Sequence, residues 1–286
     1  MTRYQIWCRF FLCASVACFS IVAQFDLSLP KANAAEDVGG NETTQASLGE
    51  KIYNKAKWIF DHAVTVHYHH THDQASEQVQ INDGKTCDSV NDCSGYVSYI
   101  LESVAPSHYR AAEAFSGRRA HPHADTYAKF FDSLSTDTPT HGWLKVSSAA
   151  DLVRGDIVAW ENPSVEEGLK HINTGHVMIV VDPPKRVERT RVGNAMISYV
   201  PVYVIDSSSV DHFPPESLPP LAHQSHRDGV GMGVIRIVVD NHDHAIGYWE
   251  GTFWGEGNKA ITKPKYADMI RFARLVPLHK RSAENG

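Results

Sequence analysis

Cysteine is scarce in this chain of 286 residues. Three of its five cysteines, Cys8, Cys13 and Cys18, sit near the N-terminus, so only Cys87 and Cys93 remain for the rest. Long apolar runs are scarcer still. The one from Phe10 to Ala23 is too short for a comfortable membrane span, and no other stretch is long and apolar enough to cross a bilayer. Positive charge is also in deficit, with Lys+Arg 27 against Asp+Glu 33 and a net charge of -6. An acidic surface argues against nucleic acid or anionic lipid as the main partner. There is no internal repeat and no strong linker, so one domain with loop insertions is expected rather than two.

The first 34 residues have the order of a secretory signal peptide: Arg3 and Arg9, the apolar run, then Ala32-Asn33-Ala34 as a small-x-small cleavage site. The expected mature protein is exported, periplasmic or secreted, and soluble; a retained N-terminal anchor is the alternative. Residues 35–46 are polar and are expected to form a disordered lead-in, with the domain over residues 47–280.

Within that domain Ser47 caps an expected helix whose apolar face carries Ile52, Ala56, Ile59, Phe60 and Ala63. A second helix starts at Asp92, with Tyr96, Val97, Ile100, Leu101 and Val104 at helical spacing. Weaker helical stretches run over 109–115 and 125–134. The period then changes, and 157–160, 177–181, 197–205, 234–239, 245–249 and 269–275 read as strands. Helices first and strands afterwards indicate α+β. The Pro-rich segment Phe213 to Leu221 reads as a surface excursion or lid.

The chain is organised around Asp92-Cys93-Ser94-Gly95. Asp92 is a good N-cap, which places Cys93 in the first helical turn, where the helix dipole favours a thiolate, the nucleophilic form of cysteine. The competing reading is a Cys87–Cys93 disulfide, the default in an oxidising compartment, though it would close only a short loop. His176 follows Gly175 at the mouth of the strand Val177–Val181, where an imidazole can take and return a thiol proton; a core histidine satisfied by a carbonyl is the bland alternative. Asp206 ends the next strand. If the two strands are neighbours it can orient His176 as a third triad member; otherwise it caps the serine turn that follows. The dense run His67, His69, His70 and His72 is expected to be solvated rather than to bind metal, because strand alternation would split the set. Neither a metal nor a cofactor is expected.

Asp92-Cys93-Ser94-Gly95-Tyr96-Val97, then Gly155-Asp156-Ile157-Val158, then Gly175-His176-Val177 together resemble the NlpC-type cell-wall cysteine peptidases, in the same order and in the same helix-then-strand layout. The resemblance spans roughly residues 50–275 in layout. It implies a papain-like fold in which N-terminal helices pack on an antiparallel sheet or half-barrel. It also implies attack on an amide in the peptide stem of peptidoglycan, commonly between D-glutamate and diaminopimelate. On that basis Cys93 is the nucleophile, His176 the base and Asp206 the polar third residue. Asp92 and Ser94 match positions that hold a free substrate amine in some members, and Tyr68 matches a tyrosine lining the site. The Gly-Gly pair that usually follows that tyrosine is absent; His69 and His70 stand there instead. The implied partner is a stem peptide or related small peptide. A CHAP-like amidase, a transpeptidase or another thiol acyl hydrolase shares the nucleophile and base, and a catalytically silent envelope-binding protein is the reading from a different class.

Overall fold

The computed structural model describes residues 47–70, 73–117, 120–162, 174–192, 195–209, 228–249, 260–261 and 270–278. The signal-like N-terminus, the lead-in and the Pro-rich segment lie outside the described residues.

Helix α1, Leu48–His62, starts as expected, with the Ser47 hydroxyl accepting from the Glu50 amide at 3.2 Å. It ends earlier than its apolar pattern suggests, because Ala63 begins strand β1, Ala63–Tyr68, where Val64, Thr65 and Val66 follow one another. β-branched side chains lose rotamer freedom in a helix and favour a strand, which decides that boundary. Strands β2, Val79–Ile81, and β3, Cys87–Asn91, complete a small sheet in the order β1-β3-β2, with β1 and β3 parallel. The reading of helices first and strands afterwards missed this sheet.

Helix α2, Cys93–Val104, is buried along nearly its whole length, with Tyr96, Val97, Ile100 and Leu101 completely enclosed. Burying each such apolar side chain contributes about 1.5–3 kcal/mol. Helix α3, Pro106–Ser116, starts earlier than expected because Pro106 pre-sets the first helical turn. Helix α4, Ala124–Asp132, packs Phe130 and Phe131 against Trp143.

The remaining strands are β4, Trp143–Val146; β5, Ile157–Glu161; β6, Gly175–Asp182; β7, Glu188–Val192; β8, Ala195–Ser208; β9, Gly229–Val239; β10, Ala245–Trp249; β11, Ala260–Ile261; and β12, Ile270–Leu275. They form one antiparallel sheet in the order β11-β10-β9-β8-β6-β5-β12-β4, with β7 paired to the outer stretch of β8. Alternation gives each face its own core. Ile157, Ala159, Val177, Ile179 and Ile205 belong to the cluster that includes the helices, whereas Val158, Trp160, Met178, Val180 and Val204 belong to a second cluster. Trp160 of β5 stacks on Tyr248 of β10, with ring centroids 4.4 Å apart, although β6, β8 and β9 separate those strands in the sheet order. The sheet therefore curls around the second cluster while the helices cover its outer face.

The turn Leu152 to Asp156, which opens the Gly155-Asp156-Ile157-Val158 motif, is structural. Asp156 is almost completely buried; it accepts from the Val153 amide at 2.8 Å and from both Nε and an outer nitrogen of Arg274 at 2.9 and 2.8 Å. Gly155 has φ +82, and a Cβ there would collide with the backbone of Gly49, so the glycine lets the start of α1 lie directly on this turn.

Candidate active site

Asp92 caps α2 through its side chain, with Oδ1 accepting from the Gly95 amide at 2.8 Å, and its carbonyl accepts from the Tyr96 amide at 3.0 Å. Cys93 is thereby held as the first residue of the helix. Helix geometry leaves the leading amides, those of Cys93 and Ser94, without an intrahelical acceptor, so they point out of the helix start beside the sulfur. Cys93 and Cys87 are both free thiols, which removes the disulfide reading. Cys87 lies in the core, with its sulfur directed at the Ile59 carbonyl at 3.9 Å, and burial pushes its thiol up to about 11.

Strands β6 and β8 are neighbours, with Ile179 opposite Ile205 and Val180 opposite Val204. That register brings His176 to Asp206, whose Oδ2 accepts from His176 Nε2. The Cys93 sulfur lies within hydrogen-bonding reach of the same imidazole. Burial alone would strip the proton from this ring. The negative charges of Cys93 and Asp206, with their hydrogen bonds, outweigh that effect and raise His176 well above its ordinary value. The Trp160 ring lies 5.3 Å from the imidazole and forms the wall behind it.

Tyr68 ends β1 and is paired in register with Asn91, two residues before Cys93. Its hydroxyl is raised by burial first and then by the charges of Cys93, Asp92 and Asp206, which places it beside all three. The Ser94 hydroxyl is turned inward and donates to Asp92 Oδ1 at 2.8 Å. Asp92 itself is shielded. Burial works to raise its carboxyl, but bonds from His70, the Gly95 amide and Ser94, with the charge of His121, bring it down to about 2.

Three supporting groups were given no part in the site by the sequence. His70 was read with its neighbours as solvated, yet its Nδ1 donates to Asp92 Oδ2 at 2.9 Å. His121 is completely buried, bonded through Nδ1 to the Asp73 carbonyl at 3.0 Å, with Nε2 3.4 Å from the Ser94 hydroxyl. Ser207, next to Asp206, donates its hydroxyl to the Asn91 carbonyl at 2.9 Å and so ties the third residue's strand to the segment leading into Cys93. Only the histidine density of residues 67–72 signalled the first of these; no local spacing signals the other two. His67 pairs with Asp228 at 2.8 Å. Among the described residues no group of three or more His, Cys, Asp or Glu is placed to hold a metal ion, and no helix is long and apolar enough to cross a membrane.

The arrangement has the parts for nucleophilic acyl transfer: a thiol at a helix start, an imidazole bonded to it, a carboxylate fixing that imidazole, and backbone amides beside the sulfur. No family model, curated protein or solved structure matches the chain.

Proposed function

We propose that the chain is an exported cysteine hydrolase of the NlpC type that cleaves an amide in the stem peptide of peptidoglycan. One observation carries this reading: the hydrogen-bonded series Cys93, His176, Asp206 at the N-terminus of a buried helix facing an antiparallel sheet. A papain-like assignment of the fold draws its support from that same placement of helix start against strand start. The N-terminal signal-like pattern supports export.

In the proposed reaction the Cys93 thiolate attacks the amide carbonyl and the imidazolium of His176 protonates the leaving amine, giving a thioester acyl-enzyme. His176, now neutral, takes a proton from water, which attacks the thioester and releases the acid and the thiol. Asp206 holds the ring and favours its charged form. The Cys93 amide, with its neighbour, stabilises the oxyanion.

The experiment is digestion of purified sacculi with the wild-type protein and with Cys93→Ala, read by mass spectrometry. Release of dipeptide fragments by wild type alone supports the peptidase. Release of intact stems from the glycan indicates a CHAP-like amidase with the same nucleophile and base. Equal digestion by the two proteins removes Cys93 from the mechanism. The two free thiols disfavour a silent binding protein that has oxidised Cys93 to Cys87.

A further inference from the structure

Asp92 lies next to the nucleophile, but a substrate does not meet its carboxylate. Oδ1 accepts from Gly95 N and Ser94 Oγ, both at 2.8 Å, and Oδ2 accepts from His70 Nδ1 at 2.9 Å. The buried His121 Nε2 stands 3.9 Å from Oδ1. A carboxylate offers about four acceptor directions, and three are filled. The Asp92 side chain is 9% exposed, whereas the His70 side chain lying over it is 62% exposed.

The outward face of this arrangement carries two groups able to donate, a phenol and, in its protonated form, an imidazole. With Nδ1 turned inward, the polar atom that His70 presents is Nε2, 3.5 Å from the Tyr68 hydroxyl, and the two rings meet edge-on with centroids 5.2 Å apart. The hydrogen bond to Asp92 raises the His70 imidazole, against a smaller opposing effect of burial, and so favours a proton on Nε2. Tyr68 keeps its proton because burial and its anionic neighbours raise it. The nearby carboxylates of Asp92 and Asp206 are each already bonded to an imidazole, His70 and His176, which offsets their repulsion of an incoming anion.

We propose that Tyr68 and His70 form a subsite beside Cys93 that takes a substrate carboxylate, and that His70 closes Asp92 to a free substrate amine. The proposal rests on the hydrolase reading above and specifies its substrate: an N-acylated stem peptide, with a free carboxylate on the residue whose side-chain carbonyl is attacked.

The test uses Cys93→Ala protein and titration calorimetry with three probes. These are an N-acetylated stem tripeptide containing γ-linked D-glutamate and diaminopimelate, the same peptide amidated at the glutamyl α-carboxylate, and the unacetylated peptide. The acetylated acid is expected to bind about tenfold tighter than the amide, the scale of one charge-assisted hydrogen bond, with no gain from a free amine. Tyr68→Phe, which removes only a hydroxyl, is expected to shrink the acid-over-amide ratio. Adding His70→Ala is expected to erase that ratio and to improve binding of the unacetylated peptide, whereas His70→Gln keeps the amine excluded through its own N–H. Tightest binding by the unacetylated peptide, binding by none of the three, or an order unmoved by His70→Ala overturns the subsite. Wild-type turnover of the same peptides separates the two ideas. Carboxylate discrimination without turnover removes the peptidase and leaves the subsite; turnover without discrimination does the reverse.

Discussion

His176 on β6 is fastened at Nε2 by Asp206 on the neighbouring strand β8. The imidazole is raised, so its charged form is present below the ordinary histidine value near 6.5 and persists above it, and is lost only as pH passes the higher folded value. The alkaline limb of kcat/KM on a peptide substrate is therefore expected well above that ordinary value. Asp206→Asn is expected to move the limb down and to lower kcat by roughly 10²-fold or more. A limb that stays in place after the substitution refutes the orienting role.

The two thiols are expected to differ sharply toward alkylation. Cys87, at about 11, is protonated at neutral pH and packed against the Ile59 carbonyl. Cys93 shares its hydrogen bond with a raised imidazole, and thiolate, not thiol, is the reacting form. Iodoacetamide at pH 7 is expected to add one group to the folded protein lacking residues 1–34, located at Cys93 by peptide mapping, and two after unfolding. Equal labelling of both in the native state contradicts the assignment.

Removing the Asp92 carboxylate strands Ser94, the Gly95 amide and two imidazoles at once. Its folded value of about 2 lies below the ordinary 3.8, so the group stabilises fully above 3.8 and loses that contribution as pH falls toward 2. Asp92→Ala is expected to cost about 2 kcal/mol in urea unfolding at pH 7, with the gap to wild type closing near pH 2. A gap independent of pH means the loss is packing alone.

Gly175 tests how closely His176 is placed. It has φ +140, and a Cβ there would overlap the Trp160 carbonyl oxygen, which belongs to rigid backbone. Gly175→Ala is expected to cost about 1–3 kcal/mol and to reduce turnover beyond what the stability loss explains. Gly117→Ala is the control: φ +62, but with nothing within 4 Å of the added carbon, so it carries only the left-handed penalty of about 1–2 kcal/mol and leaves turnover intact.

What was legible in the sequence was local. The Ser47 and Asp92 caps, the apolar stripe of α2 and the continuous apolar strands β5 and β6 are each written within a few neighbouring residues. The small sheet was not, because β3 is five residues of mixed polarity, Cys87 to Asn91, and its parallel partner lies more than a dozen positions back, beyond any hairpin signal. Strand β7 was not legible either, since Glu188, Arg189 and Arg191 are polar and the strand pairs along β8. His70 and His121 reach Asp92 and Asp73 across 22 and 48 positions. Such contacts obey no spacing rule; they come from the way β1 and the start of α4 converge on the start of α2.

Two fastenings already described lie on either side of one long stretch of chain. Upstream, Ser207 grips the Asn91 carbonyl; downstream, Asp228 grips His67, and Gly229 packs against Val66 and His67. Both anchors grip the β1–β3 ribbon that leads to the sulfur, so the end of β8 and the start of β9 are each tied to it. The strand that carries Asp206 and the ribbon that carries the approach to Cys93 are therefore fastened at two points, so a shift of either one drags on the other and the alignment of thiol and imidazole is held from both sides.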